Sequence, residues 1–274
     1  MKAEKVLYIT QEVKPYSPET PMSLLGHTIP AQLTEDGRQV RTFMPLWGTI
    51  NVRRHQLHEV QRLSGMNIII DESDHTLVIK VASVPQSRTQ VYFIDNDDYF
   101  HKRGALTDEA GNPYEDNVER AIFFARGVLE TVKKFRWIPD VIHCHGWMSI
   151  FAPLLIRTAY KDDPPFTSAR ILFSAYGPTP EALAPAAFSR LVRFRSLNDR
   201  ALRNAGLSLK NDIAPEDLLM TFCDAYAVGA PDAAPRLFSR AREEGKPVME
   251  LVEGDATQAC IDFYDKLLDE AGAE

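Results

Sequence analysis

Apolar and polar positions fall into short units whose period changes along the chain. Lys5–Thr10 is an apolar run too short for a helix and reads as a first strand. A proline-rich loop follows to Pro21. From Met22 to Glu35 the apolar residues Met22, Leu25, Ile29 and Leu33 recur at helical spacing, with Gly37 as a C-terminal stop. Val40–Met44 reads as a second strand. The chain thus opens as strand–helix–strand, a unit that crosses over right-handed into a parallel sheet.

The pattern then turns β-rich. Val60–Leu63, Met66–Ile70, Leu77–Val84 and Gln90–Ile94 are separated by turn-like Ser-Gly, Glu-Ser-Asp and Pro-Gln-Ser stretches, connections that suit antiparallel hairpins. Asp95–Pro113 is a polar loop and Asn117–Phe135 a long helix. A strand over 141–145 and a helix over 148–160 come next, then a strand at Ile171–Ser174. The Ala- and Arg-rich segment Pro178–Asp212 predicts a helix, with Pro180 and Pro185 at its irregular start. Glu216–Phe222, Ala225–Val228, Pro231–Glu244, Pro247–Leu251 and Ala256–Ala271 continue the alternation of helix and strand. The expected fold is α/β, a doubly wound, mostly parallel sheet with a β-hairpin insertion.

Composition narrows the function classes. The 274 residues are 45% hydrophobic and 25% charged, with a net charge of −7 from 31 basic and 38 acidic residues. That balance argues against a surface steered to nucleic acid or anionic lipid. No run approaches a membrane span, and no signal-type cleavage site follows the first strand. Cys144, Cys223 and Cys260 are far apart and form no CxxC, so a disulfide framework and a zinc site are not indicated, and the cytoplasm is the expected location.

The chemistry concentrates in Trp137–Pro153, where a short apolar strand ends in His143-Cys144-His145-Gly146-Trp147 ahead of a helical run. Loops at the carboxyl ends of strands line the crevices of open α/β sheets. His143 and His145 share one strand face, a spacing that metals use, but Cys144 points the other way and no further ligand is near in sequence. Hydrogen-bonded histidines at a strand end are the expectation, and no metal or cofactor is called for. Trp147 could offer a stacking platform, although a Trp at such a junction more often packs in a core. Asp116-Asn117 ahead of the long helix is a ready N-cap with Arg120 one turn in. Arg190, Arg193, Arg200 and Arg203 would share an arc of about 140° on a single helix. A solvated, salt-bridged face is expected there, with an anion-binding face as the alternative. GxSxG, HExxH, P-loop and GxGxxG patterns do not occur.

Three stretches in order resemble the N-terminal catalytic-domain half of the bacterial glycogen synthase and plant starch synthase family. They are Lys5–Tyr16; Val91–Phe100 with Arg103-Gly104 and Tyr114–Phe124; and the stretch from Trp137, similar to the family's Pro-Asp-Val-x-His-x-His-Asp-Trp-His. The match covers residues 1–160 well and later ones loosely, through Ala225–Glu244. The resemblance implies a GT-B glycosyltransferase, in which an N-terminal Rossmann-like domain holds the α-1,4-glucan acceptor and a C-terminal one holds ADP-glucose. Residues 1–274 would then form a single N-terminal-type domain, with the nucleotide-sugar-binding domain absent. The tail Ala256–Leu268 would pack back on the first domain as the terminal helix does in such proteins. The implied glucan contacts are Tyr99, Asp116, Asn117, His145 and Trp147.

At the family's reactive positions the sequence departs from the pattern. The Lys-Thr-Gly-Gly-Leu phosphate clamp falls on Pro18-Glu19-Thr20-Pro21-Met22, which loses the lysine and both glycines and adds Glu19. Two prolines remove backbone donors, and Lys14 could reach in only from four positions earlier. The family's His-Asp-Trp-His reads His145-Gly146-Trp147-Met148, and its Thr-x-His-Asn falls on Phe173-Ser174-Ala175-Tyr176. The carboxylate is thus Gly146, the second imidazole Met148 and the third histidine Ala175. Removing one transition-state contact of this kind costs about 100- to 1,000-fold in rate. The sequence therefore predicts a degenerate pseudoenzyme that binds an α-glucan or a partner protein of glycogen metabolism. The alternatives are the acceptor-side half of a split glucosyltransferase, and a scaffold whose cleft Met148, Tyr176 and Met22 close. Neither nucleic acid nor membrane is an expected partner.

Overall fold

The computed structural model describes residues 1–251 and 256–271. Ten strands form one sheet: β1 (Lys5–Thr10), β2 (Gln39–Pro45), β3 (His58–Glu59), β4 (Met66–Ile70), β5 (Ser73–Ser83), β6 (Gln90–Asp95), β7 (Val141–His145), β8 (Arg170–Ala175), β9 (Ala225–Val228) and β10 (Val248–Glu250). Their order is β10-β9-β8-β7-β1-β2-β6-β5-β3, with β4 paired to β5. Every neighbouring pair from β10 to β6 is parallel, and β3, β4 and β6 pair antiparallel with β5. The hairpins therefore extend one edge of a parallel sheet, as the change of period predicts.

Helices cover both faces, in the alternation that the strands' apolar periodicity requires. Val6 and Tyr8 of β1 face a core shared with α1 (Pro21–Glu35) and α8 (Ala256–Ala271). Leu7 and Ile9 face the larger core, with α2 (Asn117–Phe135), α3 (Phe151–Arg157), α6 (Pro215–Phe222) and α7 (Pro235–Glu243). The expected return of the tail is present. Arg38, almost fully buried, makes a two-pronged ion pair with Asp265 of α8 at 2.6 and 2.9 Å, and Asp265 also accepts from the Ala3 amide at 2.7 Å.

Three readings of the sequence need correction. Val60–Leu63 is not a strand: β3 is His58–Glu59, and Leu63 is apolar because a turn inserts it into the core. The segment 148–160 opens with a 3-10 turn, Trp147–Ser149, before the short α3. Pro178–Asp212 is not one helix but α4 (Pro185–Leu191) and α5 (Asp199–Asn204), so Arg190, Arg193, Arg200 and Arg203 do not all share one helical arc. Arg195 with φ +51° and an Asn198 cap, whose side chain accepts from the amides of Arg200 and Ala201, separate the two. Among the described residues no helix is long and apolar enough to cross a membrane.

Candidate functional site

The chain leaves β1 for β2 on one side, while β7 pairs on the other, so the winding direction reverses at β1. Ligands of open α/β sheets bind outside the carboxyl ends of the strands at such a switch point. The residues there are Gln11 and Glu12 after β1, Gly146 and Trp147 after β7, Tyr176 after β8 and Gly229 after β9.

The protein's own side chains fill this place. Gly146 has φ +74° and ψ 169°, a combination open essentially to glycine alone. A Cβ there would meet Gln11 Oε1 at 2.6 Å and Met22 Cε at 2.8 Å. Gln11, Met22 and Gly146 are buried, and Gln11 Oε1 accepts from the Met148 amide at 3.2 Å. The Met148 side chain packs in the main core, so Gln11 stands where the sequence led us to expect Met148. Tyr176 lies flat over Gly229, where any Cβ would run into its ring, and its hydroxyl meets His145 Nδ1 at 2.8 Å.

Beneath these residues both histidines are fully buried. Their ring centroids lie 3.6 Å apart with the planes tilted by 38°, and His145 stacks on Tyr8 at 4.0 Å. His143 uses both nitrogens, Nδ1 with the Tyr264 hydroxyl of α8 and Nε2 with Ser174 Oγ, each at 2.6 Å. His145 Nε2 is buried with no hydrogen-bond partner among the described residues. Burial holds both imidazoles well below their ordinary pKa, and the neighbouring ring adds to the effect at His145, so both are neutral. Burial likewise pushes the hydroxyls of Tyr8, Tyr176 and Tyr264 well up. Neither histidine is arranged as a metal pair, and no group of three metal-ligating side chains exists among the described residues.

The positions where the resemblance leads one to expect a phosphate clamp form a helix start. Thr20 is the N-cap of α1, its hydroxyl accepting from the Ser23 amide at 3.0 Å, while Ser23 Oγ accepts from the Thr20 amide at 2.9 Å. Pro21 takes the first helical position. Glu12 accepts from the Thr20 hydroxyl, and Lys14 is held by Glu19 at 2.7 Å. Two carboxylates therefore stand at the α1 N-terminus, where a phosphate would need donors.

The candidate glucan contacts are brought into two groups. Tyr99 is buried, its hydroxyl 2.9 Å from His75 Nε2 and 3.3 Å from Glu119. Asp116 is gripped by Arg103 at 2.5 and 2.7 Å, so it occupies the cap position of α2 without making the cap hydrogen bond. Asn117 donates to the Leu106 carbonyl at 2.8 Å and accepts from Arg120 at 2.7 Å. Arg120, fully buried, also donates to the carbonyls of Tyr99, Gly104 and Ala105. These residues pin the loop before α2. The second group is His145 and Trp147. Trp147 is half-buried against Phe173 at 5.4 Å, and its buried Nε1 has no partner among the described residues. Trp47 links the groups, stacking under Arg120 at 5.3 Å and donating to the Gln11 carbonyl at 2.8 Å. Pro18 is exposed and Ala175 buried. Sequence reasoning missed Tyr8, Gln11, Gly229 and Tyr264, whose roles arise from contacts across the fold and carry no local signal.

The profile of a family described as the starch synthase catalytic domain matches residues 5–237. Among similar proteins, the glycogen synthase of Chlorobium luteolum is 37% identical over 182 residues, 66% of this chain and 37% of that protein. That of Chlorobium phaeovibrioides is 35% identical over 277 residues, 96% of this chain and 55% of that protein. The solved catalytic domain of starch synthase IV from Arabidopsis thaliana, bound to ADP and acarbose, superposes with a TM-score of 0.69. At 16% identity it covers 94% of this chain and 53% of that one, a likeness of fold. The chain spans about half the length of these relatives, or less.

Proposed function

The chain belongs to the starch synthase catalytic domain family, and from that premise we propose that it works by binding a partner protein and does not transfer glucose. One observation carries the reading: Gln11, Met22 and Tyr176 pack around Gly146 and His145 at the sheet's switch point, the place where a ligand of such a sheet would sit.

Glucosyl transfer from a nucleotide sugar needs donors aimed at the leaving diphosphate and at the reacting sugar. Here the clamp positions are spent on capping α1 and are faced by Glu12 and Glu19. The position of the family carboxylate is a glycine in a backbone geometry that disfavours any side chain. Tyr99, Asp116 and Asn117 serve loop and core. A buried site rebuilt around its own hydrogen bonds would have to break them to admit a sugar.

The test is to incubate the purified chain with ADP-glucose or UDP-glucose and glycogen and to measure glucose incorporation. No incorporation is expected. Incorporation by the chain alone would refute the proposal, and incorporation only on adding a separate donor-binding chain would favour a split glucosyltransferase.

A further inference from the structure

We infer that the excursion between β8 and α6, residues 178–214, is a docking surface for an acidic segment of a partner protein. It holds six cations against the carboxylates Glu181, Asp199 and Asp212, a local charge of +3 in a chain of net −7. Two of its arginines are used internally. Arg190 pairs with Asp71 of the hairpin region, and Arg195 with Asp163 and Glu130. The other four, Arg193, Arg200, Arg203 and Lys210, are exposed, and no carboxylate pairs with them among the described residues.

Three of the four converge. Arg200 and Arg203 lie three apart on α5, one above the other on the same side of the helix. Arg203 and Lys210 line one groove of about 410 Å³ with Gly206, Leu207, Ser208 and Leu209. Gly206 has φ +97°, and the space beside its Cα is open. Leu209 is half-exposed at the groove, so a carboxylate there would find two unpaired cations and an apolar side chain would find a partner. Exposed and without an ion pair, these side chains keep their charge available to a partner, which sets them apart from the paired arginines beside them.

Charge complementarity decides the kind of partner. The remaining residues carry −10, so a long polyanion extending past the excursion, such as RNA or an anionic membrane, would meet repulsion. A short acidic peptide segment touches only the excursion. Rim cations of this kind act mainly on association rate and salt dependence. The proposal is independent of the crevice and would stand even if the crevice transferred sugar.

The test is fluorescence anisotropy of a labelled Glu- and Leu-containing peptide titrated with the whole chain. Saturable binding is expected, weakening by about tenfold from low to physiological salt. The triple variant Arg200→Ser, Arg203→Ser, Lys210→Ser should bind about tenfold more weakly with unchanged thermal stability, because all three side chains are exposed. No saturable binding, equal binding by the triple variant, or binding of single-stranded RNA as tightly as the peptide would each overturn the proposal.

Discussion

Gly146 illustrates how one residue's backbone can decide what its position can hold. The resemblance leads one to expect a carboxylate here, yet this backbone holds φ +74° and ψ 169° with Gln11 and Met22 where a Cβ would stand. Gly146→Asp should therefore lower stability by about 1–3 kcal/mol from backbone strain and produce no transfer activity. Chemical denaturation checks the first part, and a variant as stable as the parent would contradict the packing. The buried histidines give a second residue-scale prediction. His143 and His145 stay neutral in the folded chain because burial lowers their pKa, whereas in the unfolded chain they take up protons below about pH 6.5. The unfolded state then binds more protons, so stability falls as pH drops from 6.5 toward 5, by up to about 1.4 kcal/mol per pH unit for each histidine. The Asp265 carboxylate, lowered through its Arg38 pair against the opposing effect of its burial, loses its contribution only as pH falls below the ordinary carboxylate range. Urea midpoints across pH 5 to 7.5 separate the two windows, and a flat profile above pH 5 would show that the imidazoles are not held neutral.

Two elements carry the site's architecture. Helix α8 is fixed to the crevice floor by Tyr264, whose hydroxyl satisfies His143 Nδ1 at 2.6 Å. Tyr264→Phe leaves that nitrogen buried and unpaired, at a cost of about 1–3 kcal/mol. Thermal denaturation should show the loss, and an unchanged midpoint would mean that the contact does not hold α8. Helix α1 depends on its cap: Thr20→Ala removes the hydroxyl that accepts from the Ser23 amide, leaves the backbone bond to Ser23 Oγ, and should lower the thermal midpoint by a loss of about 0.5–2 kcal/mol. These elements were legible to different degrees. Lys5–Thr10, Ala225–Val228 and Ala256–Ala271 are the observed bounds as well as the expected ones, because apolar periodicity dominates there. Pro178–Asp212 misleads because Ala and Arg favour helix locally, while the Arg195 turn and the Asn198 cap end one helix and start another. The pairing of His143 with a residue 121 positions away is a product of tertiary packing and leaves no trace in local spacing.

For the whole molecule, the order of strands could be anticipated from strand–helix–strand opening, hairpins and late alternation, and the family from three blocks. The state of the crevice could be anticipated only in part: Met22 and Tyr176 are expected there, whereas Gln11 stands where Met148 is expected. It depends on Tyr176 meeting Gly229, and on Met22 and Gln11 meeting Gly146, contacts that join four strand ends. A sheet of this design keeps its switch point whether or not a ligand uses it, because the reversal at β1 follows from connectivity. The sheet and its switch point are present, and side chains pack closely around the strand ends there. Calorimetric titration of the chain with maltooligosaccharides probes that place without relying on turnover. No saturable heat is expected, because the crevice is filled and the candidate contacts Tyr99, Asp116 and Asn117 are engaged internally. Saturable heat that disappears in Trp147→Ala would contradict the closed crevice.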